Sequence, residues 1–364
     1  MISRQKYPEF IIRTMAKALV SDVEISAKNS KPSEIKHDIK NKVYSDINRK
    51  KCLKKIGEEI FEIYNKYSYK NKEVHLFHIP LHRNYGDSLI WLGEEILFKK
   101  LNLTIKSYDY KSKGIKENEI IFLNGGGNFG DLWRQGTIFR EGILKKFVNN
   151  TIILFPQTIN YHDKELIKYD EKIFSAHKNF KISTRSKESY DFATKNFINT
   201  KTILVPDMAF MIGSLKPFSK PNLDVFILRR TDKESNFPER TWKEAYYKYF
   251  SKIKYVEGDW HDYYHIRSEK LNQLPVIRKN LVNEILSQGK IIITDRLHAS
   301  IFSLLIGRPH IIINEKYKKI FNTRSTAFGN KTECNRKFLK EYYAENPETA
   351  AKMAFNLLIS KNLN

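Results

Sequence analysis

The stretch 290–314, KIIITDRLHASIFSLLIGRPHIIIN, leaves few ways to fold. Ile291, Ile292 and Ile293 form a short β-branched run of the kind that makes a buried parallel strand. Thr294 and Asp295 are helix-starting residues at its carboxyl end. An apolar segment, 299–306, fits a packed helix. Gly307 ends it and Pro309 opens the next apolar run, 311–313. This is a βαβ unit, and such units bind ligands outside the carboxyl ends of their strands. Arg296 and His298 fall at that place. An arginine and a histidine two residues apart at a helix start suit an anion and a proton transfer. The competing reading is a surface arginine beside a packed histidine.

The same alternation runs through most of the chain. Strand-like runs fall at 74–79, 104–108, 119–123, 151–155, 181–184 and 202–205, with helical patterns at 87–100, 137–148, 164–176 and 187–197 between several of them. That order predicts a mostly parallel sheet with helices on both faces. The segment 213–222, GSLKPFSKPN, is polar and proline-bearing and reads as a linker. A second series comes after it: a strand at 225–228, a helix near 240–250, a strand at 254–256, a helix over 276–287, then the βαβ unit. Asn346-Pro347-Glu348 starts a tail helix that runs to about Lys361. The expected architecture is two α/β domains facing a cleft, 71–212 and 223–335. A helical arm, 1–70, precedes them, and the tail, 336–364, is expected to cross back toward the first domain.

In the arm, Ile35, Ile39, Val43 and Ile47, then Leu53, Ile56, Ile60 and Ile63, make an apolar stripe among lysines. Such a helix packs on its own domain or lies on anionic lipid. The net charge of +23 over 364 residues implies an anionic partner: nucleic acid, an acidic membrane surface, or a phosphorylated or carboxylated substrate. Lysines spread along the chain argue against nucleic acid. Cys52 and Cys334 are the sole cysteines, which argues against a disulfide framework and a cysteine zinc site. With no apolar stretch of about 20 residues and no signal-peptide pattern, a soluble cytoplasmic protein is expected.

Each predicted strand of the first series ends in polar or glycine residues. Asn84-Tyr85-Gly86-Asp87 comes after the first strand, where Gly86 permits a tight turn and Asp87 can cap the next helix; His82 lies just before. NGGGNFGD, 124–131, comes after the strand at 119–123 and brings backbone close to a ligand through Gly126, Gly127 and Asn128. It has neither the GxGxxG spacing of a dinucleotide site nor the GK[ST] of a P-loop, so neither NAD nor ATP is indicated. Trp133 either stacks on a sugar or packs. PQT, TRS and PD stand at Pro156, Thr184 and Pro206, placing Arg185 at another strand end.

NYGD, GGGNFGD, PQT, TRSKES, VPDMAF and TDRLHASIFSLLIGRPHIII, in this order and spacing, resemble the polysaccharide pyruvyl transferase family over about 77–319. The resemblance implies two Rossmann-like domains akin to the B-type glycosyltransferase fold. It also implies transfer of the enolpyruvyl unit of phosphoenolpyruvate onto a sugar, as a pyruvate ketal. The acceptor would belong to a bacterial-type surface polysaccharide or its precursor, free or lipid-linked; with a lipid-linked acceptor, the basic stripe from Ile35 to Ile63 is expected to dock peripherally on anionic lipid at the inner face of the membrane. Arg296, Leu297 and His298 match the family's RLH segment at the donor site, and Arg185 matches the arginine of its TRS-like segment. A further basic residue is expected after the last strand, where Lys316, Lys318 and Lys319 stand. No cofactor and no metal are implied. The aromatic loop with Trp260, His261, Tyr263 and Tyr264 reads as a sugar wall or as ordinary packing. The alternatives are a nucleotide-sugar glycosyltransferase of the same architecture and a non-enzymatic basic protein binding nucleic acid or membrane.

Overall fold

The computed structural model describes residues 32–67, 73–112, 114–263, 266–268, 270–313, 318–336 and 339–360, with side chains from Asp46 onward. Contacts divide the chain into Met1–Tyr44 and a compact unit, Ser45–Asn364. Both sheets, the core and the cavity belong to the second unit.

The alternation folds into two parallel sheets. The first contains β1 (Glu73–Phe77), β2 (Thr104–Ser107), β3 (Ile120–Leu123), β4 (Gly126–Gly130), β5 (Ile152–Asn160), β6 (Phe180–Thr184) and β7 (Lys201–Leu204). Its order is β2-β1-β3-β5-β6-β7, with β4 paired to β5. The second contains β8 (Leu223–Leu228), β9 (Tyr255–Gly258), β10 (Gly289–Thr294), β11 (His310–Ile313) and β12 (Glu341–Ala344), in the order β12-β11-β10-β8-β9. Both sheets run outward from a pair, β1/β3 in one and β8/β10 in the other, where the strand order reverses. Ligands bind at the carboxyl side of such a switch point.

The crossover helices are α2 (Tyr85–Lys100), α3 (Arg134–Lys146), α4 (Lys164–Ala176), α5 (Lys187–Asn196), α6 (Glu239–Tyr249), α7 (Leu274–Ser287), α8 (Leu297–Ile306) and α9 (Lys319–Phe328), of which α2, α3, α7, α8 and α9 bear on the site. The β-branched runs Ile291–Ile293 and Ile311–Ile313 are buried to within 1% exposure, as strands covered on both faces require. The connection 213–222 is pinned rather than loose. Leu215 N donates to Leu305 O at 2.8 Å, and Phe218 N to Ser287 Oγ at 2.8 Å.

Three expectations are corrected. The helix α1 (Pro32–Asn65) is not peripheral from Cys52 on, because Cys52, Leu53, Ile56, Ile60 and Tyr64 lie in the main core. Leu53, Ile56 and Ile60 of the apolar stripe are thus taken by protein, while Ile47 is 44% exposed; the side chains of Ile35, Ile39 and Val43 lie outside the described set. The tail helix α10 (Pro347–Ile359) packs on the second sheet, with Ala350, Ala351 and Ala354 against Val225, Ile291 and Ile311. Three small residues on one face let it lie close to that sheet, and this holds it there instead of crossing to the first. Finally, Cys52 and Cys334 form a disulfide across a separation of 282 residues. Neither position is near the other in sequence, so spacing carried no sign of the pairing.

Helix α1 also supports α8 from behind. Arg49 Nη1 donates to the carbonyls of Leu304 and Leu305 at 3.2 and 2.6 Å, satisfying the last turn of the helix whose first turn carries His298.

Candidate active site

The carboxyl ends of the strands supply one cavity of about 900 Å³. The first sheet contributes His78 to Asp87 after β1, Asn124 to Asn128 after β3, and Arg185 after β6. The second contributes Arg230 to Glu234 after β8 and Arg296 to His298 after β10, and α9 adds Lys319. Leu297, Asn84, Asp87, Gly126, Gly127 and Asn128 all line it.

His298, in the first turn of α8, is 7% exposed. Its Nε2 lies 3.4 Å from Asp207 Oδ2, without the alignment of a hydrogen bond, and its Nδ1 lies 3.8 Å from Asp87 Oδ1. The ring therefore stands between two carboxylates, one at the start of α2 and one after β7. Gly86 makes this approach possible. A Cβ there would stand 2.8 Å from both Cβ and Nδ1 of His298. Asp87 in turn accepts from Asn84 Nδ2 at 3.0 Å, and His82 Nε2 lies 3.5 Å away. Arg278 fixes the whole segment from α7, donating to Pro80 O at 2.7 Å and Ser88 Oγ at 3.0 Å.

Asp207 is the group that sequence reasoning passed over. Arg185 Nη1 donates to its Oδ2 at 2.6 Å, so one buried carboxylate joins the arginine and the histidine. Burial alone would raise this carboxyl, but the charges of His298 and Arg185 hold it well below the usual range. Arg185 also donates from Nε to Thr158 Oγ1 at 2.9 Å.

Arg296 lines the cavity, but Nε and Nη2 lie 2.5 and 2.6 Å from Asp259 oxygens. Arg296, like Arg185, thus already holds a buried carboxylate. Arg230 is similarly engaged, donating to both oxygens of Asp232 at 3.0 Å and meeting Glu234 at 2.6 Å. Burial would raise Asp232, yet Arg230 and Arg296 hold it down at about 2.

Of the three lysines after β11, Lys319 reaches the cavity. Lys318 is exposed and does not line it, because it precedes α9 in a left-handed conformation with φ 48°. Lys316 lies outside the described residues. The next arginine, Arg324, is fully buried against Glu341 and takes no part. Lys319 Nζ and Arg185 Nη2 converge on Gly127: a Cβ there would run into Nζ and stand 3.0 Å from Nη2. A glycine thus lets two cations, one from each sheet half, meet over bare backbone, where an anion would find both.

The glycine segment is braced from beneath. Glu94 of α2, fully buried, accepts from Asn124 Nδ2 at 2.5 Å and Gly125 N at 2.8 Å. Burial pushes its carboxyl well above the usual value despite those donors. Asn128 is less free than its place in the motif suggests, since Arg140 donates to both its carbonyl and its side-chain oxygen. Trp133 donates from Nε1 to Glu234 at 2.7 Å and carries Lys233 Nζ 3.8 Å above its ring. Trp260 and His261 line the cavity, the former 1% exposed against Tyr85; Tyr264 lies outside the described residues. Among the described residues no group of three or more histidine, cysteine or acidic side chains is placed to hold a metal.

Likeness to known proteins falls on the same segments. A model of the polysaccharide pyruvyl transferase family matches residues 84–317. Pyruvyl transferase 1 of Schizosaccharomyces pombe is 30% identical over 73% of this chain and 72% of its own length. The putative pyruvyl transferase EpsO of Bacillus subtilis is 30% identical over 70% and 84%. A crystal structure of a Klebsiella pneumoniae protein shares the fold with a TM-score of 0.53 at 18% identity, covering 86% of this chain and 99% of that one. Family match and relatives together cover every strand end that builds the cavity between Asn84 and His298, and the chain belongs to the polysaccharide pyruvyl transferase family, a family of enzymes.

Proposed function

We propose that the protein moves the enolpyruvyl unit of phosphoenolpyruvate onto two hydroxyls of one sugar, in a surface polysaccharide or its precursor, closing a cyclic pyruvate ketal and releasing phosphate. The observation that carries this reading is the meeting of Arg185 and Lys319 over Gly127, with the His298 ring joined to Arg185 through Asp207. Phosphoenolpyruvate has two anionic groups, and two cations plus a proton donor are what its chemistry requires.

His298 gives a proton to the methylene carbon of the donor, and positive charge develops at C2. One sugar hydroxyl adds there and returns its proton to the imidazole. The C2–O bond to phosphate breaks. The second hydroxyl adds to C2, and its proton leaves with the phosphate. Two hydroxyl protons are lost, one to the new methyl group and one to phosphate, so the reaction balances without a cofactor. Arg296 and Arg230, held by Asp259 and Asp232, keep the second half of the site fixed around this step.

We also read β1–β7 and β8–β12 as two Rossmann-like domains in the manner of B-type glycosyltransferases, the second reaching past the expected end at residue 335 because β12 belongs to its sheet. The shared strand order and the facing switch points support that reading. A donor screen tests the function. Purified protein is incubated with a glycan panel and either phosphoenolpyruvate or sugar nucleotides, and phosphate, nucleotide and glycan mass are followed. Phosphate release with a ketal mass gain is expected; nucleotide release with glycosyl gain would replace this reading with a glycosyltransferase.

A further inference from the structure

A second histidine, His78, stands at the carboxyl end of β1 in the same cavity as His298, at the switch point of the first sheet. Its backbone φ is 65°, a region that non-glycine residues seldom occupy and that structures retain where a side chain must be aimed. Its ring lies flat on Phe139, centroids 4.5 Å apart and 15° between planes, and Phe139 is held edge-on by Tyr110 at 5.2 Å. Among the described residues no group hydrogen-bonds the His78 ring nitrogens. A rigid, aimed and unpartnered imidazole therefore faces the cavity.

Its surroundings differ from the anion corner. Phe139 lies against it, and Ile138 and Trp133 line the same cavity, the Trp133 ring carrying Lys233 Nζ on one face. Partial burial, with Arg140 and His82 nearby, lowers the His78 imidazole to about 3, so the ring is neutral at physiological pH. A three-carbon phosphoester at Gly127 leaves most of the 900 Å³ unfilled. An aromatic stack that ends in a fixed, uncharged hydrogen-bonding imidazole is chemistry that recognises the hydroxyls and apolar face of a neutral sugar ring.

We propose that the wall of His78, Phe139, Ile138 and Trp133 is the acceptor subsite, and that His78 hydrogen-bonds a hydroxyl of a neutral hexose there. The proposal rests on the enolpyruvyl-transfer reading for the other occupant of the cavity.

Saturation-transfer NMR with the methyl glycosides of glucose, galactose, mannose and N-acetylglucosamine tests it, on wild type, His78→Phe, His78→Asn and Phe139→Leu. Phosphoenolpyruvate is titrated separately by calorimetry. At least one glycoside should bind wild type. His78→Phe, which keeps the stack and loses the nitrogens, should weaken it roughly tenfold or more. His78→Asn, a residue that tolerates positive φ, should restore part of that loss. Phe139→Leu should also weaken the glycoside, and donor affinity should stay within about twofold throughout. No glycoside bound by wild type, unchanged binding by His78→Phe, or a parallel fall in donor affinity would overturn the proposal. Failure of wild type to bind phosphoenolpyruvate would instead strike the transfer reading, and is seen separately.

Discussion

Asp207 lies 3.4 Å from Nε2 of His298 while it receives Nη1 of Arg185 at 2.6 Å. One carboxylate at the end of β7 thus sets both the cation expected to hold the donor and the ring expected to protonate it. Asp207→Asn keeps the shape and removes the charge. We expect turnover to fall about 10²-fold or more. Stability should drop by roughly 3–5 kcal/mol, because Arg185 is left buried without its counter-charge. Steady-state kinetics and urea unfolding check the two effects. A variant with native turnover would remove Asp207 from the site.

Gly86→Ala tests the closeness of α2 to His298. The added methyl would stand 2.8 Å from the ring's Nδ1, so either the ring or the turn must shift. Alanine is favoured over glycine in a helix by about 1 kcal/mol, so the fold should lose little. Turnover should fall by roughly 10- to 100-fold, since a small misplacement of a reacting group is costly. Thermal melting beside kinetics separates these. Equal loss of folding and activity would count against the positioning role of Gly86.

The paired carboxylates give a pH dependence with a definite sign. Asp207 and Asp232 are held below their ordinary value in the folded protein, Asp232 at about 2. A carboxyl lowered by folding stabilises above its unfolded pKa, about 3.9, and loses that contribution as pH falls through its folded value. The contribution of these two carboxyls to the urea midpoint should therefore be constant near neutrality and be lost between about pH 4 and pH 2. Asp232→Asn should flatten part of that fall. A profile identical to wild type would mean that this carboxyl is not stabilised by folding.

The disulfide closes a loop of most of the chain. Its removal by Cys52→Ser should cost roughly 2–5 kcal/mol. Unreduced, unfolded protein should show no reactive thiol in a dithionitrobenzoate titration, and two after reduction. Two free thiols before reduction would contradict the pairing.

The strands were legible because their signal is local. Ile291–Ile293 and Ile311–Ile313 are continuous apolar runs, and helix starts such as Asn346-Pro347 announce themselves within a turn. So were the residues at strand ends, since Gly86, Gly127, Arg185 and His298 sit in distinctive short patterns. Pairing across distance could not be read. Asp207 lies 22 residues from Arg185 and 91 from His298, and an aspartate after proline is an ordinary turn. Lys319 is one lysine among three, separated only by the left-handed residue that precedes it. Glu94 lies on a helix face whose burial depends on the glycine segment above it. Strand β12, EYYA, mixes polar and aromatic residues and carries no clean period, so only its neighbour β11 makes it a strand.

The central claim is that His298 acts on the donor that Arg185 and Lys319 hold. The direct measurement is a phosphoenolpyruvate titration and a single-turnover transfer assay on His298→Ala, side by side with wild type. Donor affinity should stay within a few-fold of wild type while the rate of ketal formation falls roughly 10²–10⁴-fold. Ketal formation by His298→Ala at the wild-type rate, with the donor bound normally, would contradict this role for the histidine.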